Sequence, residues 1–326
     1  MRRREFIAGI GGAAAWTFAA GAQELPVVAF VTARTADASG YAVTAFRKGL
    51  RETGYVEGQN VTVEYHWLGG QFDRLQALMA DLVRRRVAVI ATPNNTLVTT
   101  TAKAATATIP IVFSVGTDPV KTGLVASFAR PGGNATGINY FALEVSAKRL
   151  GLLCALAPKA VRVAILVNPA NGPSADATLW SVQAAARSIG LQTKVLNAST
   201  NLEIDAAFAS LVHERADDVL FVAADGFLQS HGEQLVALTA RNKIPAAYPD
   251  RAAVAAGGLM SYGAGGSEMY RQVGVYTGHI LKGAKPADLP VQQATKFEFA
   301  INRKTAKALG LEIPIMLMVS ATELIE

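Results

Sequence analysis

The stretch 161-VRVAILVNPANGPSADATLWSVQAAARSIGLQTKVLN-197 decides how this chain is read. Val161–Val167 is an almost unbroken run of apolar, mostly β-branched residues, as expected of a strand covered on both faces. Asn168-Pro-Ala-Asn-Gly-Pro173 then supplies turn chemistry. A helix-like segment follows near 174–189, and Gln192–Leu196 reads as a second strand. Near-continuous apolar strands alternating with helices mean a parallel sheet with helices on both faces.

The same alternation extends outward in both directions. Upstream, Val27–Val31 reads as a strand. A helical face containing Phe46 and Leu50 follows, ended by Gly54. Strands at Val61–Tyr65, Val87–Ala91 and Ile111–Phe113 alternate with helices at Leu75–Leu82, Thr96–Thr106 and Pro119–Phe128. Arg130-Pro-Gly-Gly-Asn134 interrupts this block, a short strand near Gly137-Ile138 follows it, and the pattern restarts. Downstream, strands at Val219–Ala223, Ala246–Tyr248 and Leu259–Tyr262 alternate with helices near 203–214 and 228–241. A helix from Glu268 to Lys282 leads to a Gly/Pro-rich linker, 283–290. Lys296–Ile301 reads as a strand, and Asn302–Leu309 as a helix capped by Asn302 and ended by Gly310. The expected fold class is α/β, with two Rossmann-like lobes built on parallel sheets.

The N-terminal stretch 6-FIAGIGGAAAWTFAAGA-22 contains Gly9-x-Gly11-x-x-Ala14, which has the spacing of a dinucleotide fingerprint. Such a fingerprint needs a strand before it, and only eight residues precede Gly9, three of them Arg. A basic segment, an apolar run too short to span a bilayer and the A-x-A ending Ala20-Gly21-Ala22 read instead as a signal peptide over residues 1–22. Arg3-Arg4-Glu5-Phe6-Ile7 is similar to a twin-arginine signal. Cleavage after Ala22 leaves 304 of the 326 residues, enough for two domains.

The formal charge of +6 includes three Arg and one Glu of the signal, so the exported chain is mildly basic. Beyond Arg84-Arg85-Arg86, which suit the negative end of a helix, there is no basic cluster, and no nucleic-acid partner is expected. Cys154 is the only cysteine, so no disulfide forms within the chain, and its apolar surroundings read as core. Without a G-x-S-x-G elbow, a P-loop or two histidines at i, i+4, neither a catalytic residue nor a metal or cofactor is expected.

Polar residues remain at the C-terminal ends of strands, where open α/β sheets hold ligands. In the first block these are Thr32 and Thr35, Asn94, Asn95 and Thr96, and Gly116, Thr117 and Asp118. In the second they are Asn168, Asn171, Asp225, Tyr248 and Tyr262. Helix N-termini near Asn94–Thr96, Thr117–Asp118 and Asn171–Ser174 suit an anion. Tyr248 and Tyr262 could stack on a ring, with Tyr41 and Trp67 weaker candidates. Each residue also has a plain reading, as a cap, a turn or core. The expected ligand is a small carboxylate-bearing molecule, an aromatic amino acid or aromatic acid first. Asp225 and Asp250 keep a sugar open as an alternative, or would serve an ammonium.

Three stretches add a resemblance. They are "IPIVFSVGTDPVKTGLVASFARPGGNATG" (109–137), "GGLMSYG" (257–263) and "ILKGAKPADLPVQQATKFEFAINRKTAKALGLEIP" (280–314). Together they resemble the periplasmic substrate-binding proteins of ABC transporters, in the family that includes tryptophan- and tyrosine-binding members, and the likeness runs from about Pro26 to the C-terminus. The resemblance implies a type I periplasmic-binding clamshell with three crossovers, near Gly137–Tyr140, Tyr262–Gly265 and Leu289–Thr295. It implies an N-terminal lobe of 23–138 plus about 264–290, and a C-terminal lobe of 139–263 plus about 291–326. It further implies a monomer that captures a small molecule in the periplasm by hinge closure and delivers it to an inner-membrane ABC permease, without catalysis. An exported enzyme using the same cleft, or a ligand-sensing partner of a membrane receptor, are the rival readings.

Overall fold

The computed structural model describes residues 24–213 and 218–326. The expected export segment, Met1–Ala22, lies outside the described residues. The first block runs β1 (Val27–Thr32), α1 (Gly40–Glu52), β2 (Thr62–Trp67), α2 (Leu75–Arg84), β3 (Val89–Thr92), α3 (Thr96–Ala105), β4 (Ile111–Val115) and β5 (Ala135–Asn139). These strands pair in parallel in the order β5-β4-β3-β1-β2. The second block runs α4 (Ala142–Leu156), β6 (Arg162–Val167), α5 (Gly172–Ser188), β7 (Gln192–Asn197), α6 (Asn201–His213), β8 (Asp218–Val222), α7 (Gly226–Ser230), α8 (Gly232–Asn242), β9 (Ala246–Tyr248), α9 (Arg251–Ala255) and β10 (Met260–Ala264). Its order, β10-β9-β8-β6-β7, repeats the first topology.

The chain then returns to the first lobe. There α10 (Gly266–Leu281) lies along α1, and β11 (Gln292–Gln293) adds to the β5 edge. The helices α1 and α10 approach backbone to backbone, since a Cβ on Gly49 would stand 1.9 Å from the Arg271 carbonyl oxygen. The last crossing leads to β12 (Phe297–Asn302), antiparallel to β10, followed by α11 (Arg303–Ala308), α12 (Ile315–Ser320) and β13 (Glu323–Ile325). Two α/β lobes joined by three crossing segments are thus present. Gln292–Gln293 stays with the first sheet, inside the crossing near Leu289–Thr295 that the resemblance implies and just past its approximate lobe boundary at 290.

The central strands are buried because both sheet faces carry helices. β1, β3 and β4 are all but wholly inaccessible, with one core cluster centred on Phe113 and Met79 and another on Phe30 and Phe46. The helix expected over Pro119–Phe128 is instead a turn. Leu124 N and Val125 N both return to the Pro119 carbonyl at 2.9 and 3.1 Å, and Gly123, at φ +70°, takes the backbone out of the helical region. The helix expected near 228–241 is divided at His231 into α7 and α8.

Candidate functional site

The strand ends of the two lobes face one another across a cleft, and the lobes touch there. Thr35 N donates to Ser230 Oγ at 3.1 Å, and Asn94 Nδ2 donates to Gln229 Oε1 at 3.2 Å. Arg34 Nη1 lies 3.8 Å from Asp250 Oδ2. Gly226 sits so close to the first lobe that a Cβ there would be 2.9 Å from that of Ala33 and 3.2 Å from Arg34 N.

Between the lobes lies a small cavity of about 50 Å³, walled by Tyr41, Asn94 and Tyr140 on one side and Arg149, Gln229 and Asp250 on the other. It adjoins a second cavity of about 230 Å³ that shares Tyr41, Asp250 and Gly263 and reaches Ser267 and Glu298. Together they approach the smallest ligand pockets, roughly 300 Å³. A larger groove of about 400 Å³ between α11 and α12 is open and touches neither the cleft nor the facing lobe.

The polar groups of this wall are unevenly satisfied. Arg149, on α4, is 1% exposed, donates from Nη2 to the Val222 carbonyl at 3.1 Å and lies 4.2 Å from the Phe221 ring centroid. Its Nε has no partner among the described residues. Burial pulls this guanidinium down to about 9, and the nearby Asp250 acts in the opposite direction. Arg34, behind Tyr41, donates from Nη2 to the Ala38 carbonyl at 3.0 Å and stacks 5.3 Å from the Tyr41 centroid, while its Nε and Nη1 make no hydrogen bond. Tyr270 is wholly buried, edge-on to Tyr41 at 5.7 Å, and its hydroxyl completes no hydrogen bond of normal geometry. Burial raises the pKa of the Tyr41, Tyr140 and Tyr270 phenols, keeping them neutral hydroxyls. Among the described residues no cluster of three or more His, Cys, Asp or Glu side chains is placed to hold a metal ion.

Of the residues singled out from the sequence, Asn94 lines the cavity and Thr35 contacts the opposite lobe. Asn94 has φ +59° and donates from its backbone N to Ser114 Oγ at 2.7 Å, which turns its amide toward the cleft. Thr32 is buried beneath, its Oγ1 3.4 Å from Arg34 N. Asn95 caps α3, accepting from Val98 N at 2.9 Å, and Thr96 and Thr117 join their hydroxyls at 3.0 Å. Gly116 leaves space for the crossing chain, because a Cβ there would be 2.5 Å from that of Ala142. Asp118 caps the 119–125 turn by accepting from Val120 N at 2.8 Å.

In the second lobe the residues singled out from the sequence pack mostly within the lobe. Asp225 is buried as the N-cap of α7 and accepts from Asn168, Asn171, Phe227 N and Leu228 N at 2.9 to 3.1 Å, so its carboxylate is engaged within its own lobe. Tyr248 is 1% exposed, and its hydroxyl pairs with Thr239 Oγ1 at 2.9 Å inside the lobe core. Tyr262 is stacked on Phe297 with Lys148 Nζ 5.0 Å from its ring centroid. Neither tyrosine lines the two cavities, because their strand positions point the rings into the sheet's helical cover. The tyrosines at the cleft are Tyr41, a weak candidate from the sequence, and Tyr140, not a candidate at all. Arg34 and Arg149 were also missed. A signal was present in each case: an arginine two residues past a buried strand, and an arginine immediately before the apolar run Leu150, Leu152, Leu153, Leu156.

The profile of the family described as ABC transporter substrate binding protein matches residues 24–325. The tyrosine-binding protein of Clostridioides difficile (strain R20291) is 28% identical over 271 residues, which cover 82% of this chain and 76% of that protein. Among solved structures, an ABC domain from Streptococcus pneumonia in complex with L-Trp has a TM-score of 0.81 at 23% identity, covering 92% of this chain and 100% of the other. A conserved domain protein from Vibrio cholerae O1 biovar eltor str. N16961 has a TM-score of 0.82 at 25% identity, with the same coverage. These likenesses are of the two-lobed fold as a whole.

Proposed function

This chain belongs to the ABC transporter substrate binding protein family, and from that we propose that it captures a small carboxylate-bearing molecule with an aromatic ring and hands it to an ABC permease of the inner membrane. The observation that carries the ligand class is the inter-lobe cavity. Tyr41 and Tyr140 line it from one lobe, and Arg149, a buried guanidinium with no carboxylate within ion-pair distance among the described residues, lines it from the other. Rings and guanidiniums together suit an aromatic amino acid or an aromatic acid. A tyrosine-binding relative and a Trp-bound structural neighbour lend this class support.

The mechanism is hinge closure. A ligand touching Tyr41 or Asn94 on one side and Arg149 or Gln229 on the other bonds fully only when the lobes meet, so binding favours the closed arrangement. A permease that engages both lobes then distinguishes loaded from empty protein. In this reading the exported chain acts in the periplasm as a monomer and binds without turnover.

The test is a thermal-shift panel of amino acids, aromatic acids, sugars and short peptides, with calorimetry on each hit. A ligand at about 100 times its Kd adds roughly 2.7 kcal/mol, a shift of several degrees. Stabilisation by sugars alone removes the carboxylate reading. Conversion of a hit on prolonged incubation, seen by chromatography, replaces capture with catalysis.

A further inference from the structure

The buried polar groups of the cleft can be sorted by sign. The open ones are mostly donors: Nε of Arg149, a residue of the cavity wall, and Nε and Nη1 of Arg34, which stacks on Tyr41, while the Tyr270 hydroxyl can donate or accept. The carboxylates, by contrast, are occupied. Asp250 Oδ2 accepts from Gln229 Nε2 at 2.9 Å and faces Arg34 at 3.8 Å, while Oδ1 caps α9 from Ala253 N at 3.4 Å. Asp225 already accepts four hydrogen bonds. One open buried acceptor, Asn171 Oδ1, belongs to that Asp225 cluster, which lines neither cavity. Glu298, at the outer end of the larger cavity, is exposed.

The charges divide in the same way. Arg34 and Asp250 face each other across the cleft and offset one another. Arg149 faces no carboxylate within ion-pair distance among the described residues, and its contacts are a carbonyl and a ring. A buried guanidinium with an open N–H calls for an anionic acceptor. An ammonium in the inner cavity would meet two guanidiniums and one carboxylate, Asp250, which Arg34 and Gln229 already engage, an unfavourable balance for a like charge.

We propose that the preferred ligand is an aromatic monocarboxylic acid without an ammonium group, its carboxylate paired with Arg149. This rests on the ligand class argued above and divides it. An amino acid carries the carboxylate that Arg149 needs together with a cation for which the inner cavity offers only Asp250, already offset by Arg34. An aromatic acid supplies one negative charge and a ring for Tyr41 and Tyr140, and brings nothing to be left unpaired.

The experiment is calorimetry on the mature full-length chain with three matched pairs: L-phenylalanine and phenylpropionate, L-tryptophan and indolepropionate, L-tyrosine and hydroxyphenylpropionate. In whichever pair binds, the acid is expected to be at least about tenfold tighter than its amino acid. Arg149→Met should weaken the acid by about 30-fold or more, as expected for loss of a charged hydrogen bond. An amino acid binding as tightly as its matched acid overturns the proposal and leaves the aromatic-carboxylate class standing. If no member of any pair binds, the class falls with it. A tighter acid whose affinity ignores Arg149→Met removes Arg149 as the partner. Should that variant fail to fold, the matched pairs on the unmodified protein still decide between acid and amino acid.

Discussion

Gly226→Ala perturbs lobe closure without entering the cavity. Gly226 opens α7 in the second lobe and lines neither cavity, and its backbone lies outside the left-handed region. An added Cβ would stand 2.9 Å from the Ala33 Cβ, 3.1 Å from the Ala33 carbonyl carbon and 3.2 Å from Arg34 N. Two of those three atoms are backbone, so the lobes must separate by several tenths of an ångström. The neighbouring inter-lobe hydrogen bonds, Thr35 N to Ser230 Oγ at 3.1 Å and Asn94 to Gln229 at 3.2 Å, then stretch or break. At a net 0.5–1.5 kcal/mol each, the closed state loses about 1–3 kcal/mol, which weakens ligand about 5- to 150-fold. The separated lobes feel nothing, so unliganded stability should stay within about 0.5 kcal/mol. Gly232→Ala, at a glycine with open space around it, is the matched control. Calorimetry with the best-binding aromatic acid or amino acid gives the affinity, and X-ray scattering gives the ligand-induced fall in radius of gyration. Unchanged affinity and unchanged compaction in Gly226→Ala would refute the closure argument.

Three further outcomes are expected. Tyr248→Phe removes the hydroxyl paired with Thr239 and should cost about 0.5–1.5 kcal/mol in denaturant unfolding with no change in affinity, whereas Tyr41→Ala should weaken ligand about tenfold. Glu268 is held down to about 2, chiefly by its hydrogen bonds from Arg271 at 2.6 and 2.8 Å. Its folded pKa lies below the ordinary 4.5, so the stabilisation is full above that pH and lost as pH falls toward 2. The carboxylate is 40% exposed, which limits the effect to below about 1 kcal/mol, and the deficit of Glu268→Gln at pH 6 should vanish near pH 2. Mass spectrometry of the cellular protein should find Gln23 as the first residue, and Arg3→Lys with Arg4→Lys should block export if the twin-arginine route is used.

The element pattern was readable wherever apolar period and punctuation agreed. Val161–Val167 differs from the observed β6 by one residue, and the Asn302 cap opens α11 as expected, with Oδ1 accepting from Thr305 N at 3.0 Å. Pro119–Phe128 was misread because it has the composition of a helix, but Gly123 adopts a left-handed conformation that only the folded turn reveals. Tyr248 and Tyr262 lie at strand ends as expected, but neither lines the inter-lobe cavities. Being at the end of a strand does not say which way a ring turns, and packing against Thr239 and Phe297 turned both inward.

What the sequence by itself determined is local and repetitive: the two βα blocks, the parallel sheets and the loops that face the cleft. These follow from interactions between residues close along the chain, which period and capping report directly. Only the tertiary structure decided which side chains meet in the cleft. Asn94 and Gln229 are 135 residues apart, and their contact exists because three crossings bring one sheet's strand ends over the other's. The unpaired charge of Arg149 is likewise a property of the fold, since a guanidinium lacks a partner only in relation to the carboxylates the packing has engaged elsewhere.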